Sequence, residues 1–259
     1  MDPIPVKNQT ASGVNYFFQG ARLLWHPSLR AYILVPLLVN IILFVVLTGL
    51  LISYLGVFSG ALAIEPPNWL AWAQPAITLL GRILGAVLIV IALLIYAYSF
   101  NIITNIIAAP FYGLLAEKTE ELLTGVKPIS EPLSAMIPRV LGRELTKLWY
   151  FITRGILVTL IMIFLGTLPI IQLLAPLVGL AWGAWCMTIQ YADYPADNHK
   201  LSFVKLRSNI WQCKYSSTGF GAIVMGCSVI PIFNIFAMPA AVTGGTLFWL
   251  NELRDCDQV

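Results

Sequence analysis

Charge is what this chain has least of: 10% of its residues are Asp, Glu, Lys or Arg, against 59% hydrophobic. One aqueous core cannot cover so large an apolar surplus, so a soluble domain is excluded and a bilayer becomes the natural solvent. Cysteine is also sparse. Cys186, Cys213, Cys227 and Cys256 form no C-x-x-C pair; that argues against a zinc site or a disulfide framework and leaves them as small apolar fillers. The two histidines, His26 and His199, lie far apart. H-E-x-x-H, G-x-S-x-G and Walker signatures are all missing, which disfavours an enzyme and a nucleotide-driven pump and implies no cofactor or metal. A net charge of +3 is too small for a nucleic-acid binder. A cleavable leader is not expected either, because Met1 to Thr10 is polar and the first long apolar run starts only after Arg30.

What is present is four uncharged runs, bounded by Arg30 and Glu65, Arg82 and Glu117, Arg154 and Asp193, and Lys214 and Glu252. Charges mark the boundaries because an ionised side chain at mid-bilayer costs several kcal/mol. The first two runs exceed the roughly 20 residues a spanning helix needs. They predict full spans over about 31–57 and 83–108. The third is broken at Gly166-Thr167-Leu168-Pro169 and the fourth at Gly226-Cys227-Ser228-Val229-Ile230-Pro231, because proline lacks the N–H and crowds the preceding turn. These predict helical hairpins over about 155–192 and 215–251. Their first limbs would rise roughly 21 to 24 Å at 1.5 Å per residue, short of a hydrocarbon core of about 30 Å. With uncharged tips, they are expected to penetrate part of the bilayer from one side; a kinked pair of tilted spans is the alternative. The two also share a pattern, Pro169 to Pro176 against Pro231 to Pro239 with one insertion, which reads either as a repeat or as a chance match of apolar sequence.

The predicted fold class is therefore an all-α integral membrane protein, a single helical domain over 1–259. Lys and Arg cluster before the first span, between the second span and the first hairpin, and between the hairpins, which predicts both termini on the cytoplasmic side. Two amphipathic helices are expected there. One covers 111–124, with Glu117, Lys118, Glu120 and Glu121 opposite leucines; the other starts at Ser130 and Glu131 and carries Arg139, Arg143, Glu144 and Lys147 on a face that meets lipid headgroups or anionic solute or, as the commoner case, is open to water.

One local pattern has anion chemistry in it, His26-Pro27-Ser28-Leu29-Arg30, immediately before the first span. Pro27 and Ser28 favour a helix start, whose free N–H groups together with a guanidinium suit a tetrahedral oxyanion. The plainer reading, favoured by pattern alone, makes Arg30 an interfacial anchor. Asn40, Asn101 and Asn105 lie in apolar helices, where they either line an aqueous path or hold helices together. Asp193, Asp197, Asn198, His199 and Lys200 are expected chiefly to tie a loop.

Three stretches, Pro27 to Asn40, Ile107 to Glu117 and Ile189 to Lys200, together with Met238 to Val242, resemble the CysZ family of bacterial sulfate-uptake proteins. The Asp-Tyr-Pro-x-Asp-Asn-His-Lys stretch at 193–200 is the most specific of these. The resemblance implies a multi-pass inner-membrane permease that imports sulfate for cysteine biosynthesis, sulfite being a second candidate, and assembles as a homo-oligomer in membrane lipid. It also implies sulfate at a Gly-Leu-Arg motif, whose positions here are Ser28, Leu29 and Arg30. Ser28 keeps the backbone donor and adds a hydroxyl. Ala31 stands where a second arginine often follows, a loss that weakens the site unless a group such as Arg22 compensates. A non-transporting membrane scaffold that binds a partner through its cytoplasmic helices is the alternative.

Overall fold

The computed structural model describes residues 8–61, 72–126 and 131–254, and these are helical with no strand among them. The helices are α1 (Thr10–Leu23), α2 (Arg30–Ala61), α3 (Gln74–Thr124), α4 (Leu133–Gly166), α5 (Leu174–Asn198), α6 (Phe203–Gln212), α7 (Lys214–Val229) and α8 (Pro231–Phe248). Two compact units result. One comprises Leu37–Ala108, the other Met1–Pro36 with Ala109–Val259.

The first unit is a helical hairpin from α2 and α3. Thr48 Oγ1 lies 2.8 Å from the Tyr96 hydroxyl, and the Phe44 and Phe100 rings meet edge to face at 6.1 Å. Stepping back four residues on α2 steps forward four on α3, so the two helices run antiparallel. Both are apolar around the whole circumference rather than along one stripe; Ile41, Val45 and Ile52 of α2 and Leu80, Leu94 and Tyr98 of α3 are all exposed. A helix apolar on every side needs an apolar surrounding. At 32 residues, α2 is about 48 Å long, more than a hydrocarbon core of about 30 Å requires.

The second unit is built on α4, α5, α7 and α8, with α1 laid against α7 and α8. Close backbone approach makes that arrangement possible. A Cβ on Gly13 would collide with the backbone of Ser216 and Phe220, and one on Gly20 with that of Gly244 and Ala240. Small residues at these positions let helices touch without side chains between them. The Asn8 side chain fastens the same region, its Oδ1 accepting from the N–H groups of Tyr215 at 3.0 Å and Ser216 at 3.3 Å, while its Nδ2 donates to the Gln212 carbonyl. It thereby caps α7 from far away in sequence.

Several expectations need correction. The stretch 111–124 is no separate helix but the end of α3, which continues through Pro110. Its Glu120 is buried rather than solvated, because Leu115, Ala116, Thr119 and Glu120 form the inner face. Residues Asp193 to Asn198 form the last turns of α5, and that helix runs through Pro195. Cys213 is buried and disulfide-bonded, unlike the free Cys186 and Cys227.

The related stretches at 169–176 and 231–239 take different paths. After α4, Ile170 adopts a left-handed conformation with φ 75° and leads into a short 3-10 turn, Ile171–Leu173. Between α7 and α8 a single extended residue, Ile230, suffices, since Pro231 sits at the helix start where its missing N–H costs nothing. Both tips are apolar and exposed, Ile170 at 89% and Val229 at 76%.

Candidate anion-binding site

The start of α2 is set by a chain of local bonds. The His26 N–H donates to the Leu23 carbonyl at 2.9 Å, that of Leu29 to the His26 carbonyl at 3.0 Å, and that of Tyr32 to the Leu29 carbonyl at 3.1 Å. Leu29 is wholly buried and pins the turn, whereas Arg30 is exposed. The Ser28 hydroxyl lies 2.7 Å from His26 Nδ1, and the Ser28 N–H donates to that nitrogen over 3.4 Å. Because Nδ1 accepts, the ring proton sits on Nε2. Arg30 Nη2 donates to the Trp25 carbonyl at 3.2 Å, leaving the rest of the guanidinium outward.

Ser28, Leu29 and Arg30 thus share one turn, but their donors differ from the simplest expectation. The N–H groups of Ser28 and Leu29 are spent within the turn, while among the described residues no backbone bond closes on those of Arg30 and Ala31. Those two amides, the Arg30 guanidinium and His26 Nε2–H are the groups a tetrahedral anion can use, since the Ser28 hydroxyl gives its proton to His26 Nδ1. His26 opens the pattern that marks this site in the sequence, but a role for its ring emerges only from its contact with Ser28. Arg22 lies exposed in the last turn of α1, with no contact to this turn among the described residues. The side chains of Asn40, Asn101 and Asn105 fall outside the described residues.

A second concentration of charge joins α4 to α5. Arg139, Arg143 and Lys147 recur every fourth residue on α4, and Asp193 and Asp197 do so on α5. Arg143 donates through Nε and Nη2 to Asp193 Oδ1 at 2.8 and 2.7 Å. Lys147 Nζ reaches Glu144 Oε1 at 2.6 Å and Asp193 Oδ2 at 3.3 Å. Arg139 pairs with Asp197 and with Glu131, and Lys200 also approaches Glu131, at 3.5 Å. Farther along, His199 Nε2 is 2.9 Å from both Glu120 carboxylate oxygens, and Asn198 Nδ2 donates to the Gly113 carbonyl at 2.9 Å. The cationic face of α4, expected to be open to water, turns inward instead. Lys147 is 1% exposed, and its ammonium lies 4.7 Å from the centre of the Tyr194 ring. Every one of these cations already has a carboxylate, so the network holds helices together and leaves no charge for an anion. No cluster among the described residues is arranged to hold a metal ion.

The family model described as sulfate transporter CysZ/Etoposide-induced protein 2.4 matches residues 16–239. Among relatives, the sulfate transporter CysZ of Pseudomonas fluorescens (strain Pf0-1) is 39% identical over 254 residues, covering 96% of each chain. That of Pectobacterium atrosepticum is 37% identical over 251 residues, covering 96% of this chain and 88% of its own. The sulfate transporter CysZ of Vibrio atlanticus is 37% identical over 260 residues, covering 96% of each. With a match reaching from α1 into α8 and across the turn that carries Ser28 and Arg30, this chain belongs to the sulfate transporter CysZ/Etoposide-induced protein 2.4 family.

Proposed function

We propose that the protein is a permease that takes up sulfate across the bacterial inner membrane for cysteine biosynthesis, and that it transports rather than catalyses. The name shared by its relatives supports the substrate. The observation that carries the site is the open first turn of α2, where among the described residues the amides of Arg30 and Ala31 have no backbone acceptor and the Arg30 guanidinium faces outward. A dianion there meets a helix N-terminus, a full positive charge and the His26 Nε2–H together. The missing second arginine is offset by His26, which presents its Nε2–H, and by the two free amides.

In this reading α2 and α3 span the bilayer, while α4 with α5 and α7 with α8 enter from the cytoplasmic side. Both termini lie in the cytoplasm, and copies assemble as a homo-oligomer. The bare apolar tips at Ile170 and Val229 support immersion in hydrocarbon, since aqueous turns are polar. Carrying a dianion inward against an inside-negative potential costs about 4.6 kcal/mol per 100 mV. A steep sulfate gradient kept up by intracellular consumption, or a coupled cation, must supply that work.

The test is radiolabelled sulfate uptake by liposomes containing the purified protein, with Arg30→Ala alongside. Saturable uptake that competing chloride leaves intact, and that the variant loses, is the expected result. Flux no greater than in empty liposomes under any imposed gradient would favour a non-transporting scaffold.

A further inference from the structure

Helix α6 presents an outer face with two large apolar side chains exposed. Phe203, Leu206, Asn209 and Ile210 turn inward, while Val204 and Trp211, two helical turns apart, stand 68% and 67% exposed. Arg207 lies between them on the same side, three residues from one and four from the other. Its setting differs from that of Arg139, Arg143 and Lys147, which pair with carboxylates. The guanidinium carbon sits 4.6 Å from the centre of the Tyr150 ring and 5.1 Å from that of Phe203. Its Nε is buried without a hydrogen-bond partner, and among the described residues no carboxylate pairs with it. Arg143, whose guanidinium carbon lies 5.2 Å from the centre of the Phe203 ring, is by contrast committed to Asp193. Arg207 is thus a positive charge held in place by aromatic rings and, among the described residues, left without a counter-ion.

The surroundings indicate the depth at which this charge lies. Tyr150 precedes Arg154, where the uncharged run of α4 begins, and Tyr215 opens the uncharged run of α7. Trp185 donates through Nε1 to the Tyr150 hydroxyl at 3.1 Å and meets Trp211 edge to face at 6.0 Å. Trp149 and Tyr215 stand exposed, with Lys214 Nζ 5.3 Å from the Tyr215 ring centre. A girdle of Trp and Tyr with basic residues among them marks the boundary between hydrocarbon and headgroups. An exposed apolar pair flanking a cation on a short surface helix suits lipid, since tails cover Val204 and Trp211 while the headgroup meets Arg207.

We propose that α6 lies in the headgroup layer and that Arg207, stacked on Tyr150, binds the phosphate of an anionic phospholipid. The charge complementarity selects an anionic headgroup over a zwitterionic one, whose own ammonium would compete for the phosphate. This site involves none of the residues at the start of α2, and its readout is lipid retention rather than uptake.

The test is native mass spectrometry of the full-length protein in detergent, titrated with phosphatidylglycerol or phosphatidylcholine, with and without inorganic phosphate. Wild type should retain phosphatidylglycerol in preference to phosphatidylcholine. Arg207→Gln should reduce that preference about five-fold, the factor that corresponds to about 1 kcal/mol per basic residue at an anionic surface. Trp211→Ser, at an exposed position, should lower retention of both lipids and carries the test should Arg207→Gln fail to fold. Equal retention of the two lipids by wild type, or undiminished retention by both variants, would overturn the proposal. So would complete displacement of the lipid by inorganic phosphate, which would show a site for the free anion.

Discussion

Both Nε and Nη2 of Arg143 close on a single oxygen of Asp193, leaving the other oxygen to Lys147. Asp193 therefore neutralises two cations from successive turns of α4, in a place where it and Lys147 are each 1% exposed. Removing one member of a buried ion group leaves the rest charged and unpaired, at a cost of about 3–5 kcal/mol. Asp193→Asn keeps the shape and deletes the charge, so it should lower the thermal unfolding midpoint in detergent strongly. Lys147→Met should also cost strongly, because Asp193 would keep Arg143 but buried Glu144 would lose its cation. Equal small effects would mean that water reaches the network.

That network shows how far the sequence could be followed. The spacing of Arg139, Arg143 and Lys147 on one helix and of Asp193 and Asp197 on the next is plain in the sequence, and so are the apolar runs that make the chain a helical membrane protein. Which face of α4 turns inward is not, because it depends on the register of two helices whose paired residues are about fifty positions apart, and local periodicity carries no such information. A run of charges on an amphipathic helix looks the same whether it meets water or a partner of opposite sign. The turn at Ser28 to Arg30 was legible for a different reason: Pro27, Ser28 and Arg30 act within one turn. What remained hidden there was which amides are already spent, since the His26 ring takes up part of the turn's donors.

Gly13 and Gly142 make a second contrast. Both are helical, yet a side chain at Gly13 would strike the backbone of α7, whereas one at Gly142 meets nothing within 4 Å. Backbone cannot rotate aside as a flexible side chain does, so Gly13→Ala should force α1 off α7 and cost at least the roughly 1–3 kcal/mol of ordinary overpacking. Gly142→Ala should be neutral or stabilising by about 0.5–1 kcal/mol, since alanine loses less backbone freedom in a helix. Proteolysis near the amino terminus, together with the unfolding midpoint, would separate the two outcomes. A Gly13→Ala protein as protected as wild type would rule out the close α1–α7 contact.

The half-buried pair Glu131–Arg139 predicts a modest acid dependence. The bond from Arg139, with Lys200 nearby, holds the Glu131 carboxyl below the usual glutamate range. A carboxyl lowered on folding stabilises the folded state fully above its ordinary pKa, and that contribution fades as pH falls through the lowered value. Glu131→Gln should therefore unfold at a lower temperature than wild type near neutrality, with the gap narrowing in acid. A gap that is constant across this range would show that the glutamate acts through its shape and not its charge.

Hairpin depth can be decided at the two tips. Ile170 and Val229 are almost bare in the fold, and Ile170 also occupies a left-handed conformation that a β-branched residue adopts only under constraint. If these turns emerged into water, each would expose an isoleucine or valine with no polar neighbour to offset it; in hydrocarbon the same side chains cost nothing. In a background with Cys186 and Cys227 replaced by serine, Ile170→Cys and Val229→Cys should resist a membrane-impermeant maleimide added from either side of sealed vesicles. Both should react once the membrane is dissolved. Rapid labelling from the outer face alone would instead make α4, α5, α7 and α8 complete crossings. The short α7, at 16 residues about 24 Å long, would then have to thin the bilayer around it.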